Sequence, residues 1–166
     1  MITRGRQESW YDVAQVCLNG HSINRSTIAF PDFNAEYCKS CGAGTIMACP
    51  ACEKPIPGDY HSPGGFSMHE PPPPPFCKYC GKPYPWTEAK LEAAREWASD
   101  LEKLNDRERE LLAKSLDDLV VDVPMTRVSA DRVKRLLVKA GGGAIEMFRT
   151  LTVDVLSEAA KKALFP

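Results

Sequence analysis

The sequence predicts an α+β chain: two small treble or zinc-ribbon-type β modules, followed by an all-α helical region. Three observations carry this. All seven cysteines lie between Cys17 and Cys80, and six of them form C-x-x-C pairs. Short β-prone stretches and Pro/Gly-rich turns separate those pairs. Residues 88–166 contain no cysteine and repeat Leu, Val and Ala at helical spacing. The composition, 43% hydrophobic and 26% charged, is that of an ordinary globular chain. A net charge of −1 excludes a strongly basic nucleic-acid binder or an acidic tail.

The metal-ligand pattern comes first along the chain. Cys17 is followed by Leu-Asn-Gly-His21, a C-x3-H spacing, and then come Cys38/Cys41, Cys49/Cys52 and Cys77/Cys80. Two residues between ligands let one tight turn aim both sulfurs at one ion. Four pairs give eight ligands, enough to fill two tetrahedral sites with no position left for water. We therefore expect two structural Zn2+ ions, held by Cys17, His21, Cys38, Cys41, Cys49, Cys52, Cys77 and Cys80. Gly42 and Gly81 follow the second ligand of their knuckles, and Gly20 lies inside the first turn; each suits a positive φ. Pro50 after Cys49 helps to start its turn.

Sequential pairing puts Cys17, His21, Cys38 and Cys41 in site one, and Cys49, Cys52, Cys77 and Cys80 in site two. A cross-brace would interleave the pairs. Sequential pairing is preferred because Cys38–Gly42 and Cys77–Gly81 both read C-K-x-C-G, a knuckle recurring at the close of each half. His61 and His69 flank a Gly/Pro-rich loop, have no partner at ligand spacing, and read as solvated loop histidines.

The zinc domain is expected over residues 1–87, with site one at 17–41, site two at 49–80 and a Pro-rich loop at 53–76. Trp10–Val16 and Ser26–Phe30 are β-prone around the first knuckle, and Thr45–Ala48 is a short strand. The Pro71–Pro75 run reads as a stiff spacer, with a docking peptide for an aromatic groove as the alternative. The helical domain, residues 88–166, is expected to hold about four helices. Thr87 reads as the first N-cap. Leu91, Ala94, Ala98, Leu101 and Leu104 recur along the first helical stretch, and Asn105-Asp106-Arg107-Glu108 fits a capping box. Residues 88–119 can be one helix or two. Pro124 marks a break, Ser129 caps a third helix ending at Gly141–Gly143, and a fourth runs from there towards Phe165.

The opening Met1–Trp10 has no apolar core of a secretory signal, and charges in the last helix exclude a membrane span. The chain is expected in the reducing cytoplasm, where paired cysteines bind metal and do not form disulfides.

Trp10-Tyr11-Asp12-Val13-Ala14-Gln15-Val16-Cys17-Leu18-Asn19-Gly20-His21 resembles an uncharacterised bacterial family, a domain of unknown function with zinc-ribbon knuckles. The likeness continues at Phe33-x4-Cys38-x-x-Cys41-Gly42, at Ala48-Cys49-Pro50-x-Cys52, and from Phe76 through Cys77, Cys80 and Trp86 to Thr87. It returns at Val153–Lys162. The resemblance implies a small bacterial zinc-binding protein and brings no activity with it.

On function, the preferred reading is a non-enzymatic interaction or scaffold protein. Its zinc ribbons display a binding surface, and its helices bind a protein partner or a second copy. The alternative is a nucleic-acid-binding regulator that uses the ribbons. Seven Lys/Arg balance seven Asp/Glu over residues 1–87. Seven metal-bound thiolates and two Zn2+ would bring that half to about −3, poor for tracking phosphates. Arg132, Lys134, Arg135 and Lys139 read as a solvated face. No spare cysteine, phosphate-cradling loop or His–acid pair suggests an enzyme.

Overall fold

In the computed structural model, which describes residues 9–62 and 71–165, the chain divides into two compact units, Met1–Trp86 and Thr87–Pro166. The first is built on two small antiparallel sheets. Strand β1 (Trp10–Val13) pairs with β5 (Pro57–His61), while β2 (Gln15–Cys17) lies between β3 (Ser22–Asn24) and β4 (Thr45–Ile46). The β1–β5 register is Trp10↔His61, Tyr11↔Tyr60 and Val13↔Pro57, with an irregularity between Tyr11 and Val13. Ala14, Val16, Ile56, Tyr84 and Trp86 are buried at the centre of this unit.

The first unit corrects three expectations. Ser26–Phe30 is a turn and not a strand. The backbone N–H groups of Ile28 and Ala29 donate to the Asp12 carboxylate at 2.9 and 3.1 Å, and Thr27 N donates to Val13 O at 3.1 Å. Donors consumed in this way cannot build a ladder. Secondly, the segment 53–76, expected as a Pro-rich loop, contains a strand, because Pro57–His61 forms β5. The Pro71–Pro75 run is also tied down: Pro71 O accepts from Arg25 Nη1 (3.1 Å), Pro74 O from Trp86 Nε1 (3.0 Å) and Pro75 O from Tyr84 N (3.0 Å). Thirdly, His61 is not a solvated loop residue. It ends β5, stacks on Trp10 with ring centroids 4.6 Å apart, and places Nε2 3.1 Å from Asp12 Oδ2. His69, and the Pro63, Gly64 and Gly65 part of the loop, lie outside the described residues.

The second unit contains α2 (Asp106–Leu119), α3 (Pro124–Ala140), α4 (Ala144–Thr152) and α5 (Glu158–Leu164). Before them runs α1 (Pro85–Ser99), whose first two residues belong to the first unit. Helix α3 packs against α2, α4 and α5. Leu112, Leu116, Leu119, Val133, Leu137, Phe148 and Leu164 lie on the buried faces of the helices, at the three- and four-residue spacing of amphipathic helices, and Val155 is buried in the turn between α4 and α5. The 88–119 stretch is two helices, with the expected capping box at the second: Glu108 N donates to Asn105 Oδ1 and Asn105 N to Glu108 Oε2, each at 3.0 Å.

Three helix boundaries differ from expectation. Helix α1 starts at Pro85, so Thr87 lies buried in its first turn and is not the cap. Helix α3 starts at Pro124, where a fixed φ and a missing N–H suit the first helical position. Thr126 closes that end by accepting from Val123 N (2.9 Å). Ser129 is buried one turn further in and donates to Asp118 Oδ2 (2.5 Å). The expected fourth helix is two helices. The β-branched residues Thr150, Thr152 and Val153 weaken it, and Ser157 then caps α5 by accepting from Ala160 N at 3.2 Å.

Candidate metal centre

Four tight turns present the eight ligands. In three of them the backbone repeats closely. Gly42 N donates to Cys38 O, Glu53 N to Cys49 O and Gly81 N to Cys77 O, each at 2.8 Å. Cys38, Cys49 and Cys77 in turn donate their N–H to Ala43, Lys54 and Lys82 O, each at 2.9 Å. A single antiparallel bridge flanks each knuckle: Tyr37↔Gly44, Ala48↔Pro55 and Phe76↔Pro83. The residue after the second ligand has a positive φ: +70° at Gly42, +71° at Gly81 and +59° at Glu53. The fourth turn follows the C-x3-H spacing. Gly20, at φ +86°, donates to Cys17 O (2.8 Å), and Cys17 N donates to His21 O (3.0 Å).

These turns gather the side chains into two clusters, Cys17/His21/Cys38/Cys41 and Cys49/Cys52/Cys77/Cys80, whose ligand atoms lie within 4.8 Å of one another. The grouping is the sequential one. In the first, Cys17 Sγ lies 3.4 Å from His21 Nδ1 and 3.8 Å from Cys41 Sγ, and Cys38 Sγ lies 3.6 Å from His21 Nδ1. In the second, Cys49 and Cys80 sulfurs are 3.8 Å apart, and those of Cys52 and Cys77 3.7 Å. A tetrahedral ion with metal–sulfur bonds of ~2.3 Å and a metal–nitrogen bond of ~2.0 Å has sulfur–sulfur edges of ~3.8 Å and sulfur–nitrogen edges of ~3.5 Å. The donor sets therefore fit two four-coordinate metal ions.

Burial divides the ligands in a regular way. The first ligand of every turn, Cys17, Cys38, Cys49 and Cys77, is buried; Cys41 and Cys80 are exposed. Burial opposes ionisation at Cys38. Backbone N–H groups of Ser40 and Cys41, with the neighbouring thiols, outweigh it and lower Cys38 to about 6. Cys77 is lowered to about 6 in the same way, against its burial, by the N–H groups of Tyr79 and Cys80. Cys52 moves the other way, to about 12. The Lys54 N–H pulls it down, but burial and the competing thiols Cys80, Cys77 and Cys49 together push it up further. Burial also raises Cys17. Each cluster thus holds thiols of opposite tendency, since one thiolate among several crowded thiols disfavours ionisation of the next.

Further side chains support the sites. Asn19 Nδ2 donates to Cys41 Sγ at 3.5 Å. Gly20 has no room for a β-carbon, which would sit 2.9 Å from Trp86 Cβ. Trp86 stacks on Tyr84 with centroids 4.5 Å apart and planes 15° apart. Burial first, and then the adjacent Cys77, raise the pKa of the Tyr84 hydroxyl. The side chain of Asp12 is fully buried and holds the 26–29 turn, β1 and His61 together. Arg25 pairs with Asp59 at 2.7 Å. A groove of about 520 Å3 beside the first cluster is lined by residues including His21, Arg25, Phe33, Tyr37, Lys39 and Asp59. Sequence reasoning missed Asp12, Arg25, Asp59 and Tyr84 as parts of the site's frame. A lone aspartate inside the apolar run Trp10–Val16 was the available signal for the first.

Residues 10–164, nearly the whole chain, match the model of a family described as "Uncharacterized protein conserved in bacteria (DUF2321)". The chain belongs to that family. All eight ligands fall inside the part matched to the DUF2321 model. No curated protein and no solved structure matches the chain. Among the described residues no helix is long and apolar enough to cross a membrane.

Proposed function

We propose that this DUF2321 protein is a cytoplasmic, two-zinc, non-enzymatic interaction protein. The clusters frame a binding surface, and the helical unit engages a protein partner or a second copy. The observation that carries the reading is the closure of both clusters: four protein ligands each, three thiols and an imidazole in one and four thiols in the other. A hydrolytic zinc keeps a position open for water, whereas a structural zinc does not. Zinc suits thiolate and imidazole ligands in tetrahedral geometry and brings no redox chemistry.

The surface of the metal-bearing unit supports display as the role. Tyr11, Phe33, Tyr37, Tyr60 and Tyr79 are each more than half exposed. Exposed rings at this density are typical of surfaces that bind other molecules. One local feature favours nucleic acid as the second reading: Lys78 Nζ sits 5.5 Å from the centroid of Tyr11 and 5.0 Å from that of Tyr79, with Tyr60 packed on Tyr11 at 4.7 Å. Rings with a cation between them can stack bases. The charge of the unit, balanced in its Lys/Arg and Asp/Glu and about −3 once seven thiolates and two Zn2+ are counted, weighs against it.

Capture of partners from native extract by metal-replete protein, with and without nuclease, separates the readings. The interaction reading expects a specific protein that stays bound after nuclease and is lost when Tyr11 and Tyr60 are replaced by serine. Loss of all bound material on nuclease treatment establishes the second reading instead.

A further inference from the structure

Among the described residues, one buried side-chain polar atom, the Tyr84 hydroxyl, has no hydrogen-bond partner. Tyr84 is 0% exposed, so water cannot serve it from outside. The ring is held in place. It lies flat against Trp86, whose Nε1 is fixed on Pro74 O (3.0 Å) and whose other neighbour is the crowded Gly20. Tyr84 N is itself bonded to Pro75 O (3.0 Å). Cys77 is the side chain that acts most strongly on the hydroxyl, and Cys49 and Cys52 of the same cluster act on it as well. A buried hydroxyl left without an acceptor is disfavoured, and a neutral thiol is a poor acceptor. A metal-bound thiolate is a much better one.

We propose that the Tyr84 hydroxyl donates a hydrogen bond to the Cys77 thiolate when the second cluster carries its metal, which makes Tyr84 a positioning residue of that site. The inference rests on the reading of the clusters as metal sites, and gives the four-thiolate site a dedicated side-chain donor. Four thiolates on a divalent ion leave a net charge of −2 inside the protein, against −1 for three thiolates and an imidazole. Donors that spread this charge hold the ligands in place and tune the metal. The first cluster has its own side-chain donor, Asn19 Nδ2 on Cys41. At the second, the ring that anchors the buried side of the site supplies the equivalent group.

The test is Tyr84→Phe in the full chain, which removes the hydroxyl and keeps the ring stack. Wild type and variant are loaded with cobalt, and the second site is titrated with a competing chelator. The expected result is ~10–100-fold weaker metal binding at the second site, the range for losing a supporting hydrogen bond to a ligand. Its thiolate-to-cobalt band should move to lower energy, while the mixed sulfur–nitrogen site keeps its spectrum. Equal or tighter binding with an unmoved band would overturn the proposal: the hydroxyl would be an orphan whose removal relieves the site. A wild-type chain whose second cluster takes up no metal would overturn the metal reading as well, and so separates the two failures. If the variant does not fold, wild-type protein loaded with 113Cd decides. A Tyr84 hydroxyl proton coupled to the cadmium resonance is expected, and one that is uncoupled and exchanges freely with water contradicts the proposal.

Discussion

Gly58 sits in β5, in the segment that joins the two halves of the second candidate metal site, and its replacement by alanine separates a packed strand from a spacer. A β-carbon built there would lie 2.2 Å from Arg25 O, 2.8 Å from the Asp12 carbonyl carbon and 2.8 Å from that of Val13. All three neighbours are backbone atoms, so no rotamer change relieves the crowding. Relief requires β5 to move away from β1 and from Arg25, by about 1 Å if ordinary contact is to be restored. That movement stretches the Asp59 N–Arg25 O bond (2.9 Å) and the Arg25–Asp59 ion pair (2.7 Å). Overpacking of a fixed interior costs ~1–3 kcal/mol, and the backbone character of the contacts puts Gly58→Ala at or above the top of that range. For a unit of this size ~3 kcal/mol corresponds to a melting point lower by ~12–24 °C. The assay is thermal unfolding of metal-loaded full-length protein, followed through tryptophan fluorescence, with Trp10 and Trp86 in the affected unit. A melting point within 1–2 °C of wild type would refute the reasoning and leave residues 53–62 as part of a loop.

Other perturbations follow from the same geometry. Glu53 occupies the positive-φ position that Gly42 and Gly81 fill in the sister knuckles, so Glu53→Gly should stabilise the loaded protein by about 1 kcal/mol, read as a higher melting point. Cys49→Ser should abolish the four-thiolate cobalt spectrum and leave the sulfur–nitrogen spectrum in place; loss of the latter would mean that the ligands pair otherwise. Acid should release metal from both clusters, because free Cys38 and Cys77 thiols ionise at about 6. Above that value these two ligands are already thiolates and add no pH dependence. Below it each makes metal affinity fall about tenfold per pH unit in a competition titration. Cys52, at about 12, must lose its proton to the metal throughout the neutral range, so affinity at the second site should keep rising with pH above 7.

The two Cys/His clusters were legible because their information is local. A C-x-x-C turn carries its own backbone geometry, and the glycines after Cys41 and Cys80 announce its left-handed residue. Glu53 shows the limit of that signal, since the same conformation occurs there without a glycine. The β1–β5 pairing was not legible. It joins Trp10 to His61 across most of the first unit, and its second strand opens with Pro57-Gly58, residues that ordinarily mark a turn. The Ser26–Phe30 run is β-prone by composition, yet Asp12 takes its N–H groups, a tertiary contact that outweighs propensity. In the helical unit the apolar periodicity placed the faces correctly and the ends less well. Pro124 starts a helix where a proline in the sequence suggests a break. Ser129 resembles a cap in sequence but spends its hydroxyl on Asp118 inside the helix. Asn105 and Glu108, by contrast, form the reciprocal pair that their spacing announces.

Metal content of protein purified without chelator tests the central claim most directly. Eight ligands in two closed clusters predict two zinc ions per chain, retained through gel filtration and lost together with the knuckle structure on strong chelation. A ratio near one, or iron in place of zinc, would contradict the account.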